Sequence, residues 1–170
     1  MALKLQNISV VLVEDMAPMR MVTAGLLKSM GVGQIWPCED GEKAIELIRK
    51  NNPDIVITDW HMEPMDGLSL AKAVRTDTSM PNRFVPIIMI TGFNAVHRVA
   101  TARDAGVTEF LIKPFSAQEL ARRLAYVINK PRDFIESKGF FGPDRRRQIM
   151  PDYRGKKKRK VDTNTPGDKK

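Results

Sequence analysis

Residues 8–15 read ISVVLVED, a stretch dominated by β-branched side chains that ends in two adjacent acids, Glu14 and Asp15. A strand with one face in water alternates apolar and polar residues. A continuous apolar run belongs to a strand covered on both faces. Residues 54–59 (DIVITD) and 86–91 (PIIMIT) repeat this pattern, and residues 33–38 and 108–112 are shorter, weaker versions of it.

The segments between these runs change to a helical period. Residues 18–30 place Met19, Val22, Leu26 and Met30 three to four positions apart, with Pro18 suited to a first turn and Gly31 to a stop. Residues 41–50 put Ala44, Ile45, Leu47 and Ile48 on one side, behind Asp40 as an N-cap. Residues 68–76 follow Asp66 and Gly67, and residues 95–105 close at Gly106. Residues 116–129 open on Ser116-Ala117-Gln118-Glu119, where hydroxyl and carboxylate each satisfy a free backbone donor. Strand and helix thus alternate five times. Parallel pairing with right-handed crossovers makes this an α/β fold, a (βα)5 doubly wound sheet with helices on both faces.

Composition bounds the function. No run of about 18 apolar residues exists, so membrane insertion is not expected. The short apolar stretch near the N-terminus runs into acids and does not suit a signal or transit peptide. A single cysteine, Cys38, forms no internal disulfide, and a reducing cytoplasm is the expected setting. The formal charge of +8 is unevenly spread. Residues 142–170 hold eleven Lys/Arg against four Asp, whereas residues 1–141 hold seventeen Lys/Arg against sixteen Asp/Glu. The basic character belongs to the C-terminal segment.

In such sheets, ligands gather beyond the carboxyl ends of the strands. Glu14 and Asp15 follow the first run, Asp59 ends the third, Thr91 ends the fourth and Lys113 follows the fifth. Three carboxylates on one rim repel unless a cation neutralises them. Mg²⁺ accepts such oxygens and keeps water for an incoming phosphate. An ionised Asp can attack phosphorus, and a lysine and a hydroxyl can stabilise the charge that develops.

Glu14-Asp15, Asp59, Thr91 and Lys113-Pro114, in this order and spacing, resemble the receiver domain of two-component response regulators, over about residues 6–130. The resemblance implies a flavodoxin-like sheet of strand order 2-1-3-4-5. It implies that Asp59 accepts a phosphoryl group. Mg²⁺ would be held by Glu14, Asp15, Asp59 and the backbone carbonyl of His61. Lys113 and Thr91 would contact the phosphoryl group, and Phe110 would be the aromatic switch, without the hydroxyl of the tyrosine often found there. A cis Lys113-Pro114 bond is also implied. The donor would be a sensor histidine kinase or a phosphotransfer protein. The output would be a downstream protein bound at the face of the fourth helix, fifth strand and fifth helix.

One departure stands in the loop after the acceptor: Glu63 replaces the usual proline, and Pro64 follows. Phe93, two residues after Thr91, is expected to crowd the phosphoryl group.

By residue, the expectation is a receiver domain over 1–130, an extension over 131–141 able to dock through Phe134, Phe140 and Phe141, and a flexible basic tail over 142–170. Arg145-Arg146-Arg147 and Lys156-Lys157-Lys158-Arg159-Lys160 are polycations, expected to make only weak contacts with nucleic acid. Two alternatives remain open at this stage. An aspartyl-phosphate phosphatase would need the same groups, though it usually carries a second Asp where His61 stands. A nucleic-acid-binding protein would act through the tail.

Overall fold

The five apolar runs form five strands: β1 (Ser9–Val13), β2 (Gln34–Cys38), β3 (Ile55–Asp59), β4 (Ile87–Gly92) and β5 (Glu109–Lys113). They pair in parallel in the order β2-β1-β3-β4-β5. The computed structural model describes residues 4–92 and 98–145. Helices α1 (Ala17–Ser29), α2 (Gly41–Asn51), α3 (Gly67–Thr76), α4 (Val99–Asp104) and α5 (Ala117–Asn129) follow the strands in turn.

The central strands carry few polar residues because both their faces are covered. Val11, Val13, Val56, Ile87 and Met89 pack under α2, α3 and α4 with Ala44, Ile48, Leu70, Val74 and Ala102. Val10, Leu12, Ile55, Ile57, Ile88 and Ile90 face the other way, toward Leu27, Leu120, Leu124 and Val127 of α1 and α5. The period-two pleat sends alternate residues of one strand into two separate cores.

Local signals set the helix starts. Asp40 and Asp66 accept from the backbone N–H of Lys43 and Ser69 at 2.9 and 2.7 Å. Ser116 and Glu119 form the reciprocal capping box at α5. Within the described residues α4 spans only Val99–Asp104, against an expected 95–105. Residues 93–97, with Phe93 and His97, lie outside the described residues.

The chain continues past α5 into a hairpin that the sequence reading did not contain. Strands β6 (Phe134–Ser137) and β7 (Phe140–Pro143) pair antiparallel around Lys138-Gly139, with Gly139 at φ +86°. Gly142 and Pro143 are therefore buried strand residues, not the beginning of a tail. The sequence boundary is misplaced because the hairpin is held by distant aromatic and arginine contacts, not by an apolar period of its own. The runs Arg146-Arg147 and Lys156–Lys160, and with them most of the expected basic tail, lie outside the described residues. Among the described residues, no helix is long and apolar enough to cross a membrane.

Candidate functional site

Sheet register brings the strand ends together. Val13 is level with Thr58 across β1 and β3, so Glu14 comes alongside Asp59. Asp59 is level with Ile90, the residue before Thr91, and Gly92 is level with Lys113. All these positions lie at the carboxyl rim of a parallel sheet.

Carboxylate oxygens of Glu14, Asp15 and Asp59 all lie within 4.8 Å of one another. Glu14 is 2 % exposed and Asp59 9 %, while Asp15 is open to solvent. The Lys113 ammonium lies between two of the acids, 3.0 Å from Glu14 Oε2 and 3.2 Å from Asp59 Oδ1. One ammonium against three carboxylates leaves excess negative charge in a partly desolvated pocket. The pKa shifts express this strain. Burial, reinforced by the charge of Asp59, holds the Glu14 carboxyl above its ordinary value despite the hydrogen bond from Lys113. Burial alone would push the Lys113 ammonium down, but its bonds and charge attraction to Glu14 and Asp59 win and hold it above its ordinary value.

The donor set is entirely hard oxygen, carboxylates from two strand ends, and its uncompensated charge suits a small divalent cation such as Mg²⁺. Softer metals prefer sulfur or imidazole, and Cys38 is buried with its thiol pushed up to about 12, chiefly by burial.

Of the other expected residues, Thr91 and His61 stand at the same strand ends and Phe110 does not. Thr91 is buried at the same rim, its hydroxyl 3.4 Å from the carbonyl of Gly92. His61 is exposed, and its ring stacks on that of Trp60 with centroids 6.1 Å apart. Trp60 and Met62 are buried and close the core beneath the loop over residues 60–66. The loop returns at Gly67, whose N–H donates to the Trp60 carbonyl at 2.9 Å. A Cβ at Gly67 would lie 2.2 Å from the Asp59 carbonyl oxygen, so only glycine allows this approach beside Asp59. The loop holds Glu63-Pro64 as a cis bond, and Lys113-Pro114 is cis as well. Phe110 sits three residues before Lys113, outside the pocket, half-buried against the core under α2, α3 and α4.

One residue with a role here escaped the sequence. Arg20, on the first turn and a half of α1, donates to the backbone carbonyl of Glu14 at 2.6 Å and to that of Asp15 at 3.3 Å. It fixes the turn from which both acids project. An arginine on an amphipathic helix gives no sequence sign of a bond to backbone six residues earlier.

With this geometry in hand, comparison with known proteins gives a consistent result. The family model described as the response regulator receiver domain matches residues 10–125. Chemotaxis protein CheY-3 of Vibrio cholerae is 30% identical over 125 residues, which cover 74% of this chain and 95% of that protein. Chemotaxis protein CheY of Pseudomonas aeruginosa is 30% identical over 121 residues, covering 71% and 96%. Among solved structures, a putative response regulator from Chloroflexus aurantiacus superposes with a TM-score of 0.67 at 28% identity, covering 72% of this chain and 98% of that one. The receiver domain of a Pseudomonas aeruginosa sensor histidine kinase superposes with a TM-score of 0.65 at 29% identity, covering 72% and 98%, and its structure has a magnesium ion coordinated in the active-site cleft.

Proposed function

This chain belongs to the response regulator receiver family, and from that premise we propose that it is a phosphorylation-switched signalling protein whose acceptor is Asp59. The observation that carries the reading is the clustering of Glu14, Asp15 and Asp59 at one rim, with Lys113 bridging Glu14 and Asp59.

In the proposed step an Asp59 carboxylate oxygen attacks phosphorus. The O–P bond forms as the bond from phosphorus to the donor nitrogen breaks, and the donor imidazole leaves with that electron pair. The donor is a sensor histidine kinase or a phosphotransfer protein. Glu14, Asp15, Asp59 and the His61 carbonyl form the proposed Mg²⁺ site. Bound Mg²⁺ supplies charge neutralisation on the transferring phosphoryl group. Lys113 moves from its bond with Asp59 to a phosphoryl oxygen, so a positive charge already waits at the reacting centre. Thr91 turns its hydroxyl from the Gly92 carbonyl toward the same group. Phe110 then repacks, and the surface of α4, β5 and α5 changes for a downstream protein. The output is binding and not turnover of a metabolite.

With Mg²⁺ and a small phosphodonor, the intact mass is expected to rise by one phosphoryl group that maps to Asp59. Asp59→Ala is expected to abolish the gain. Equal labelling of that variant would remove Asp59 as the acceptor. Turnover of a generic phosphate ester would instead favour an aspartyl-phosphate phosphatase.

A further inference from the structure

The family match ends at residue 125, yet the folded chain continues through β7 to Pro143. A two-stranded hairpin is at best marginal by itself, so its order comes from what it touches. It sits at the rim opposite the acids, where β4 and β5 begin. Phe134 and Phe141 pack on Phe84, with ring centroids 4.9 and 5.2 Å away. Three arginines cover hairpin rings: Arg75 over Phe134 at 5.0 Å, Arg83 over Phe141 at 4.0 Å and Arg145 over Phe140 at 4.4 Å.

The turn between α4 and β5 is caught between the hairpin and α3. Arg75, 1 % exposed, donates from Nε to the Gly106 carbonyl at 3.0 Å. Gly106 has φ +94°, and a Cβ there would lie 2.6 Å from Arg75 Cγ. On the other side, a Cβ at Gly142 of β7 would lie 3.2 Å from Gly106 Cα. Arg145 forms an ion pair with Asp104, the last residue of α4. Arg132 reaches Glu109, the first residue of β5, at 3.1 Å. The hairpin and the arginines that flank it, Arg132 and Arg145, therefore hold the end of α4, the turn and, together with Arg123 of α5 at 3.0 Å from Glu109, the start of β5.

We propose that this hairpin is a built-in brace that opposes activation by pinning the α4–β5 turn. The proposal rests on the receiver reading above. The elements it grips are those that run from the switch threonine to Lys113 and carry Phe110. They are gripped in an arrangement where Lys113 is bonded to Glu14 and Asp59. Moving Lys113 and Thr91 onto a phosphoryl group must then either carry the hairpin along or loosen it. By linkage, loosening the hairpin favours phosphoryl-mimic binding, and the mimic in turn loosens the hairpin.

The test uses the full chain with Mg²⁺ and beryllium trifluoride, read by Trp60 emission next to Asp59. Arg145→Ala removes the Asp104 pair and the Phe140 stack without touching either core. Gly142→Val pushes β7 from Gly106 more severely, and Arg145→Ala keeps the test sound should that variant misfold. The expected result is about five-fold tighter binding of the mimic in Arg145→Ala. Backbone amides of residues 105–107 should exchange faster in that variant. In the wild type the mimic should speed exchange in β6 and β7. Equal or weaker binding by the variants would overturn the brace while leaving Asp59 as acceptor. A wild type that ignores the mimic would overturn the receiver reading itself, and the coupling with it.

Discussion

Glu14 shows what clustering buried acids costs in stability. Its carboxylate is almost fully buried, and burial first and Asp59 second hold its pKa above the ordinary value. The folded state therefore keeps a proton that the unfolded chain has already released. Between the ordinary and the raised value the unfolded state binds fewer protons, so stability falls as pH rises, and above that window the loss is complete. Glu14→Gln keeps a hydrogen-bonding oxygen for Lys113 and removes the charge. Without divalent cations its Tm should exceed that of the wild type at pH 7, and the gain should vanish below about pH 4, where the unfolded carboxyl is also protonated. Magnesium affinity should fall by about tenfold in the same variant. Thermal melts over a pH series, with and without Mg²⁺, check both; no gain at pH 7 would mean Lys113 fully compensates the buried charge. The acids and Lys113 were legible in the sequence because each stands just where an apolar run stops. Arg20 was not, because its partners are carbonyl oxygens that every sequence possesses.

At the scale of elements, the helix that packs beneath β5 depends on its first turn. Ser116 and Glu119 close their capping box at the start of α5, whose Leu120, Leu124 and Val127 enter the core. Ser116→Ala should lower stability by about 1 kcal/mol. A shift of the urea midpoint at unchanged slope is the expected signature, and an unchanged midpoint would show that core packing alone sets the helix start. Such boxes, together with Asp40 and Asp66, explain why α2, α3 and α5 were readable to within a residue or so. The central strands β1, β3 and β4 were readable for a related reason, since burial on both faces forces unbroken apolar runs, whereas the partly exposed edge strands β2 and β5 gave weaker signals. The hairpin β6–β7 offered neither signal. It has four residues a strand, a loop of Lys138-Gly139, and aromatic rings whose partners, Arg75, Arg83 and Phe84, lie fifty to sixty residues earlier. Long-range packing of this kind has no period to detect.

For the whole molecule, the question is where the folded unit ends. Composition placed the boundary at residue 142, because the basic excess begins there. The structure moves it outward, since Gly142 and Pro143 are buried and Arg145 is tied to Asp104 and Phe140. Charge is thus a poor guide to folding when arginines pack on rings, where a flat, weakly hydrated cation gains contact area as well as attraction. Two shortened chains separate these views. One ending at residue 145 keeps the hairpin with its Asp104 and Phe140 contacts and serves as the reference. One ending at residue 130 uncovers Arg75, loses the ring contacts on the largely exposed Phe84 and should be less stable by about 1–3 kcal/mol, from the half-buried Phe134, Phe140 and Phe141 and their ring contacts. Freed Arg75, whose Nη2 has no hydrogen-bond partner among the described residues, regains water and offsets part of that loss. Denaturant midpoints of the two chains decide between them. Equal stability of both would mean that hydrating Arg75 cancels the aromatic burial, and the folded unit would then end with α5.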